Sequence, residues 1–349
     1  MKSTVYLKPG QVGLTEIDRP TIQEADDVII RVVRACVCGS DLWKYRNESD
    51  EVVGTGNSGH EIIGIVEEVG ANINTVVPGD FVIAPFTHGC GHCAACRAGF
   101  EAGCQDHDSS SNYSGGYQAE YVRYTHGDWS LIKVPGQPGD YSEGMLKSLL
   151  TLSDVMPTGY HAARVANVEK GDRVAVVGDG AVGLCAVIAA KLRGASQIII
   201  MSRHEDRQKL ALEFGATDVV AERGEEGIAR VMELTKGAGV DVALECVGTH
   251  LSTETALKIC RPGARVGRVG LPHTGDINYA DYFGKNLTFA GGPASVTTYV
   301  KGGLLDAVLK GEINPGKVFT ASYKLDDIDQ AYKDMDDRKT IKSMVVVGE

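Results

Sequence analysis

The chain has 349 residues, 43 of them glycine, and its 35 Lys and Arg against 46 Asp and Glu give a formal net charge of −11. This length carries two domains with cores of their own, and glycine at about 12% against a usual ~7% predicts tight turns and close backbone approaches. With no run of five basic residues, no apolar run near the ~18 needed to span a bilayer and no hydrophobic signal core at residues 1–8, neither nucleic acid nor membrane is an expected partner, and the expected setting is cytoplasmic.

The first 150 or so residues read as short strands separated by turns. Residues 28–35 and 61–69 are rich in β-branched side chains, and the turn Pro78-Gly79-Asp80 leads into a strand-like run at 81–84. Two short motifs lie between these runs: Cys38-Gly39-Ser40-Asp41 follows the first, and Gly59-His60-Glu61, about twenty residues further on, leads into the second. A lone cysteine or histidine is more often a packing residue than a ligand, and Cys36, Cys185, Cys246 and Cys260 are read that way or as minor site-wall atoms. His88, His92, His107, His126, His161, His204, His250 and His273 are read as solvated or capping residues. Cys38 and His60 differ because Asp41 could accept the free ring N–H of His60, while Glu61 adds a carboxylate beside a metal. A catalytic zinc takes three protein ligands and keeps one position open, so a third ligand must come from elsewhere in the chain.

Cys90, Cys93, Cys96 and Cys104 follow with the spacing C-x2-C-x2-C-x7-C, and Gly89, Gly91, Gly99 and Gly103 let the backbone bend between them. Four soft thiolates close a tetrahedral zinc site within one lobe, about residues 88–106, and leave no position open, so this metal is structural. Two disulfides need an oxidising compartment that nothing here suggests, and an iron–sulfur cluster is the remaining rival on ligand type.

From about 155 to 293 strand-like runs at 173–177, 197–200, 240–244 and 265–269 alternate with helical stretches such as 182–192 and 206–214, the pattern of a parallel sheet covered on both faces. The first of these strands runs into Gly178-Asp179-Gly180-Ala181-Val182-Gly183 and then a helix. In that context the glycines read as a dinucleotide loop: Gly178 for the turn, Gly180 for close approach of a pyrophosphate, Gly183 for helix–strand packing. An NAD enzyme carries a ribose-binding acid about twenty residues further on. Here that place is Ser202-Arg203. A guanidinium there can clamp a 2′-phosphate with Ser202 as a further donor, which favours NADP(H) over NAD(H). The rival is a solvent-facing Arg203 with Glu205 or Asp206 bending back to hold ribose. A helix around 299–310 and a strand at 342–347 close the chain, giving an α/β domain inserted between two pieces of a β-rich one.

Taken together, Cys38-Gly39-Ser40-Asp41, Gly59-His60-Glu61, the four-cysteine lobe, Asp154 with Thr158-Gly159, and Gly178 to Gly183 resemble the zinc-containing medium-chain alcohol dehydrogenases over nearly the whole chain. The resemblance implies a GroES-like catalytic domain (1–154 and 294–349), a Rossmann domain (155–293), and two zinc ions per chain, with Asp154 as the third ligand of the catalytic one beside Cys38 and His60. It implies that zinc lowers the pKa of an alcohol oxygen, that Ser40 carries its proton away, and that hydride passes to a nicotinamide lying in an interdomain cleft. It further implies cofactor contacts from Ala181, Val182, Arg207, Cys246, Val247, Val269, Gly270 and Lys342, and a homo-oligomer, dimer or tetramer, joined along an edge strand at 284–292. Many relatives have histidine five residues after the metal cysteine as the outer end of a proton relay. This chain has Trp43, which cannot shuttle a proton and is read as a pocket wall. The expected substrate is a small alcohol or carbonyl compound. Polyol, threonine and formaldehyde-type dehydrogenases on the same scaffold, and a non-catalytic dinucleotide-binding relative, are the rival readings.

Overall fold

A computed structural model of the protein describes residues 1–46, 58–106, 116–272 and 279–348, so His107 and His273 lie outside the described residues. The chain divides into two compact units, Met1–Pro157 with Ser295–Glu349, and Thr158–Ala294.

The first unit is built around the strand Val28–Cys36. Its apolar run is nearly continuous rather than alternating because both faces are covered: Ile29 and Val33 are as fully buried as Val28 and Ile30. It pairs antiparallel with Ile62–Val69, with Tyr121–Tyr124 and with Lys342–Val346. Phe81–Ala84 adds to the far side of Ile62–Val69, and Phe319–Lys324 runs parallel to Lys342–Val346 at the other end. The register is what builds the site. Ala35 stands opposite Ile62, Ile62 opposite Ala84, and Cys36 opposite Met344, so the residues just beyond each of these strand ends meet at one edge of the sheet. A backbone bond from Phe86 N–H to the Ser153 carbonyl ties in the segment that carries Asp154.

The second unit is a six-stranded parallel sheet in the spatial order Asp218–Val220, Gln197–Met201, Arg173–Val177, Val240–Glu245, Cys260–Arg268, Thr288–Gly291. Numbered within the unit this is 3-2-1-4-5-6, the doubly wound dinucleotide-binding order. Val177, Ile199, Val220, Ala243 and Val266 form the core of this unit with residues from its helices. The helix Ala181–Leu192 is buried at every position from Gly183 to Ala190, and Gly159 lets another helix close on it, since a Cβ there would stand 2.5 Å from the Ala186 nitrogen. Thr288–Gly291 is the outermost strand, within the 284–292 stretch read as an edge.

One expected element is different. The helix read over 299–310 is interrupted: Val296–Tyr299 and Leu305–Leu309 flank a wider turn, Val300–Leu304, in which Gly303 takes a φ of +131°. The pair Gly302-Gly303 removes the side chains that would favour a regular helix there.

Candidate metal centres and nucleotide loop

Ligand atoms of Cys38, His60, Glu61 and Asp154 all lie within 4.8 Å of one another. The strand end at Cys36 delivers Cys38, and the start of Ile62–Val69 delivers His60 and Glu61. His60 Nε2 is 3.2 Å from Asp154 Oδ2, and Cys38 Sγ is 3.8 Å from the same oxygen. A tetrahedron with bonds of about 2.0–2.3 Å has edges of about 3.3–3.8 Å, so these separations suit one zinc ion.

The chemistry of the donor set agrees. Cys38, Glu61 and Asp154 bring three acidic groups and Lys342 one ammonium, leaving two negative charges that a divalent cation neutralises. Glu61 is fully buried and its Oε2 has no hydrogen-bond partner, an arrangement that costs free energy unless a cation stands nearby. Burial pushes the Cys38 thiol up, whereas metal coordination would hold it as thiolate. Burial works to lower the His60 pKa, but Cys38, Asp154 and Asp41 outweigh it and hold the imidazole well above its ordinary value.

Behind the donors, Asp41 Oδ1 lies 3.6 Å from His60 Nδ1, and Asp41 Oδ2 accepts the Cys38 backbone N–H at 2.9 Å. Gln118 was not singled out from the sequence. It is fully buried, donates from Nε2 to the Cys36 carbonyl at 2.9 Å, lies 3.5 Å from Asp41 Oδ2, and accepts the Tyr332 hydroxyl at 2.9 Å. Gly59 makes room for it: at φ +73° its Cβ would stand 2.5 Å from Gln118 Cγ. Ser40 begins the short helix Asp41–Tyr45 without using its side chain as a cap, and Trp43 on that helix is 45% exposed.

Lys342, expected at the cofactor, has a side chain 1% exposed, and its ammonium donates to Glu61 Oε1 at 2.6 Å and to the Val37 carbonyl at 3.2 Å. The strand start at Lys342 lies at the same sheet edge as Cys36, which brings its side chain to the cluster around Cys38. His88 and His161 are corrections: both are 1% exposed, and His88 bonds Thr125 and Tyr117 and stacks on Tyr124.

The four-cysteine lobe is assembled as expected from its spacing. All four sulfurs are free thiols within 4.8 Å of one another, with Cys93 Sγ and Cys104 Sγ 3.9 Å apart. Backbone N–H groups of Cys90, Cys93, Cys96 and Gln105 donate to sulfurs of the set at 3.3–3.5 Å. The amides of Cys96 and Gln105 pull Cys93 down to about 6, into the thiolate form a metal takes. Glu101, fully buried in the lobe, binds the Thr298 backbone N–H and hydroxyl at 2.9 and 2.8 Å and so anchors it to the returning C-terminal segment. The further cluster Cys90, His92 and Asp106 shares a cysteine with this site and two of its members are exposed.

In the second unit the glycine loop has the shape a pyrophosphate needs. Gly178 takes φ +115°, a Cβ on Gly183 would stand 2.0 Å from the Gly178 carbonyl oxygen, and nothing lies within 4 Å of a Cβ on Gly180. Gly180 also begins the helix Ala181–Leu192, whose first N–H groups face an incoming anion. Glu245 holds the neighbouring loop: Oε1 accepts the N–H groups of Val247 and Gly248 at 2.8 Å, while its carbonyl accepts those of Val269 and Gly270 at 2.9 and 3.2 Å. Cys246 is half-buried in this loop. Glu205 and Asp206 do not bend back; they open the helix Glu205–Phe214, and Glu205 pairs with Lys209. Ser202 is already engaged within the unit. Its hydroxyl donates to Asp179 Oδ2 at 2.8 Å, and Arg207 pairs with Asp179 Oδ1 at 3.3 Å, so both are held by a carboxylate inside the glycine loop. Arg203 is exposed and, among the described residues, makes no hydrogen bond or ion pair.

Residues 24–136 match the alcohol dehydrogenase GroES-like domain and residues 181–301 the zinc-binding dehydrogenase domain. Zinc-type alcohol dehydrogenase B of Aspergillus flavus is 32% identical over all of this chain and 82% of its own. The chain belongs to the zinc-containing medium-chain dehydrogenase family. Among solved structures, alcohol dehydrogenase TADH from Thermus sp. ATN1 superposes with a TM-score of 0.88 at 31% identity, covering all of both chains. Zinc dependent alcohol dehydrogenase 2 from Streptococcus pneumonia gives 0.88 at 32%, covering 100% of this chain and 99% of that one. The protein is therefore an oxidoreductase acting on small molecules, with a GroES-like unit and a Rossmann unit. No helix among the described residues is long and apolar enough to cross a membrane.

Proposed function

We propose that this family member is a zinc-dependent alcohol dehydrogenase, reducing aldehydes or ketones in reverse, with NADP(H) as its preferred nucleotide and two zinc ions per chain. The buried cluster of Cys38, His60, Glu61 and Asp154, with its unpartnered Glu61 oxygen, carries this reading. Bound zinc supplies Lewis acidity toward an alcohol or carbonyl oxygen, and bound nucleotide supplies a hydride acceptor or donor. Cys38, His60 and Asp154 hold the metal and leave one position open to substrate. Asp41 orients the His60 ring through Nδ1, and Lys342 keeps one Glu61 oxygen engaged. Ser40, half-buried beside Cys38, accepts the substrate proton and passes it on to water.

The nucleotide preference rests on the absence of an acid at 202–203 and on Arg203, exposed and uncommitted among the described residues. A charge-assisted bond to phosphate contributes about 1.5–3 kcal/mol, so the preference should be roughly ten- to hundredfold. The outermost strand Thr288–Gly291 supports pairing of two copies along that edge. The test combines elemental analysis with a screen of primary and secondary alcohols, polyols and aldehydes against each nucleotide. Two zinc ions per chain, and turnover of simple alcohols with higher kcat/KM for NADP(H), are expected. Active enzyme with one zinc or none, or equal kcat/KM for the two nucleotides, would overturn the corresponding part.

A further inference from the structure

The glycine loop contains an acid that a dinucleotide loop does not need. Val177 stands opposite Met201 in the parallel pair, so Asp179 and Ser202 emerge side by side at the same sheet end. There the Asp179 carboxylate, 15% exposed, accepts the hydroxyl of Ser202, a residue 3% exposed, and pairs with Arg207, 12% exposed. Arg207 also reaches the Asp179 backbone carbonyl at 3.4 Å, and Gln208 Nε2 donates to the Ser202 carbonyl at 2.6 Å, so the group is braced from both sides. Two of the three polar groups that could receive a 2′-phosphate are therefore already engaged by an internal anion. Only Arg203 stands clear.

We propose that Asp179 is a specificity-determining residue that weakens the preference for a 2′-phosphorylated nucleotide. This rests on the NADP(H) reading above. The carboxylate acts in two ways. It competes with phosphate oxygens for the Ser202 hydroxyl and the Arg207 guanidinium, and its charge repels the phosphate dianion through screened solvent. A ribose 2′-hydroxyl meets neither obstacle and can donate to the same carboxylate, so binding of NAD(H) keeps a foothold. Arg203 and Asp179 thus pull the site in opposite directions.

The discriminating substitution is Asp179→Asn, which keeps an acceptor for Ser202 and removes the charge. Titration calorimetry on the zinc-loaded full-length enzyme, with NADP+ and NAD+ as probes and no substrate, should show the NADP+ to NAD+ affinity ratio rising about three- to tenfold, with the gain narrowing at about 0.5 M salt. Asp179→Ala should move the ratio in the same direction, and a melting curve for each variant confirms folding. Arg203→Ala, measured alongside, should lower the ratio. If Arg203→Ala lowers it and Asp179→Asn leaves it unchanged, the Asp179 role falls while the NADP(H) reading stands. If Asp179→Asn weakens NADP+ binding, the carboxylate is a scaffold for Ser202 and Arg207 and the proposal is wrong. If Arg203→Ala changes nothing, the NADP(H) reading fails and this proposal with it.

Discussion

Replacing Lys342 by methionine tests whether the cluster around Cys38 is held in balance by one buried ammonium. Lys342 Nζ lies 2.6 Å from Glu61 Oε1 and the two side chains are 1% and 0% exposed. Burial works to lower the lysine pKa, but Cys36, Glu61, Cys38 and Asp154 outweigh it and hold it well above the ordinary lysine range. Methionine fills a similar volume and removes the charge, leaving the buried Glu61 with only the longer contact of His60 Nε2, 3.9 Å from Oε1, since Oε2 has no hydrogen-bond partner already. Breaking a buried pair in this way costs about 3–5 kcal/mol. The cost should fall on the metal-free protein, because a divalent cation among the same ligands offsets the Glu61 charge that lysine no longer balances. Urea unfolding followed by circular dichroism, on EDTA-treated and zinc-reloaded samples, reads both. Lys342→Met should lower the stability of the metal-free protein by about 3–5 kcal/mol and that of the reloaded protein by clearly less, and Glu61→Gln in the same chain should recover much of the loss. A metal-free Lys342→Met protein within about 1 kcal/mol of wild type, or equal losses with and without zinc, would refute the reasoning.

Three further outcomes are expected. Burial works upward on Asp241, but Arg173 and Arg261, at 3.1 and 2.7 Å, outweigh it and pull its pKa down to about 2. The folded value lies below the unfolded one of about 3.9, so the stabilisation is complete above that pH and is lost as pH falls towards 2; Asp241→Asn should cost about 1–2 kcal/mol at pH 7 and progressively less below pH 4, and a pH-independent cost in urea midpoints would contradict this. Cys93→Ser should reduce bound zinc from two ions to one and lower the melting temperature, because the lobe Cys90 to Cys104 has little core of its own; an unchanged zinc count would exclude the four-thiolate site. Trp43→His places a titratable group on the exposed face of the helix Asp41–Tyr45 and should shift the pH profile of alcohol oxidation downward; an unchanged profile with altered substrate range would make Trp43 a pocket wall instead.

Local patterns carried the architecture. Strand runs at 28–35, 173–177 and 240–244 were legible because β-branched residues crowd them, and the glycine loop because it sits between a strand and a helix. The 299–310 stretch misled because its apolar period outweighed the glycine pair that interrupts it. The four-cysteine lobe could be read directly, since its cysteines lie within fifteen positions.

What the sequence concealed lies in contacts of long separation. Lys342 meets Glu61 across 281 positions, and Gln118 meets Asp41 across 77. No period or motif links such pairs; the register of Val28–Cys36 with both Ile62–Val69 and Lys342–Val346 brings the first to one sheet edge, and backbone bonds of Gln118 to Thr4 and Ser58 place the second. Asp179 and Ser202 are 23 positions apart and obey the same logic through Arg173–Val177 and Gln197–Met201. In both units, then, strand ends in register collect side chains that sequence distance keeps apart, and at each of these edges a buried or half-buried charge restrains the group that would meet the ligand. Lys342 restrains Glu61 in the cluster around Cys38, and Asp179 restrains Arg207 at the glycine loop. A motif names residues that can bind; the ion pairs behind them determine how freely they do so, and those pairs become visible only once the register is known.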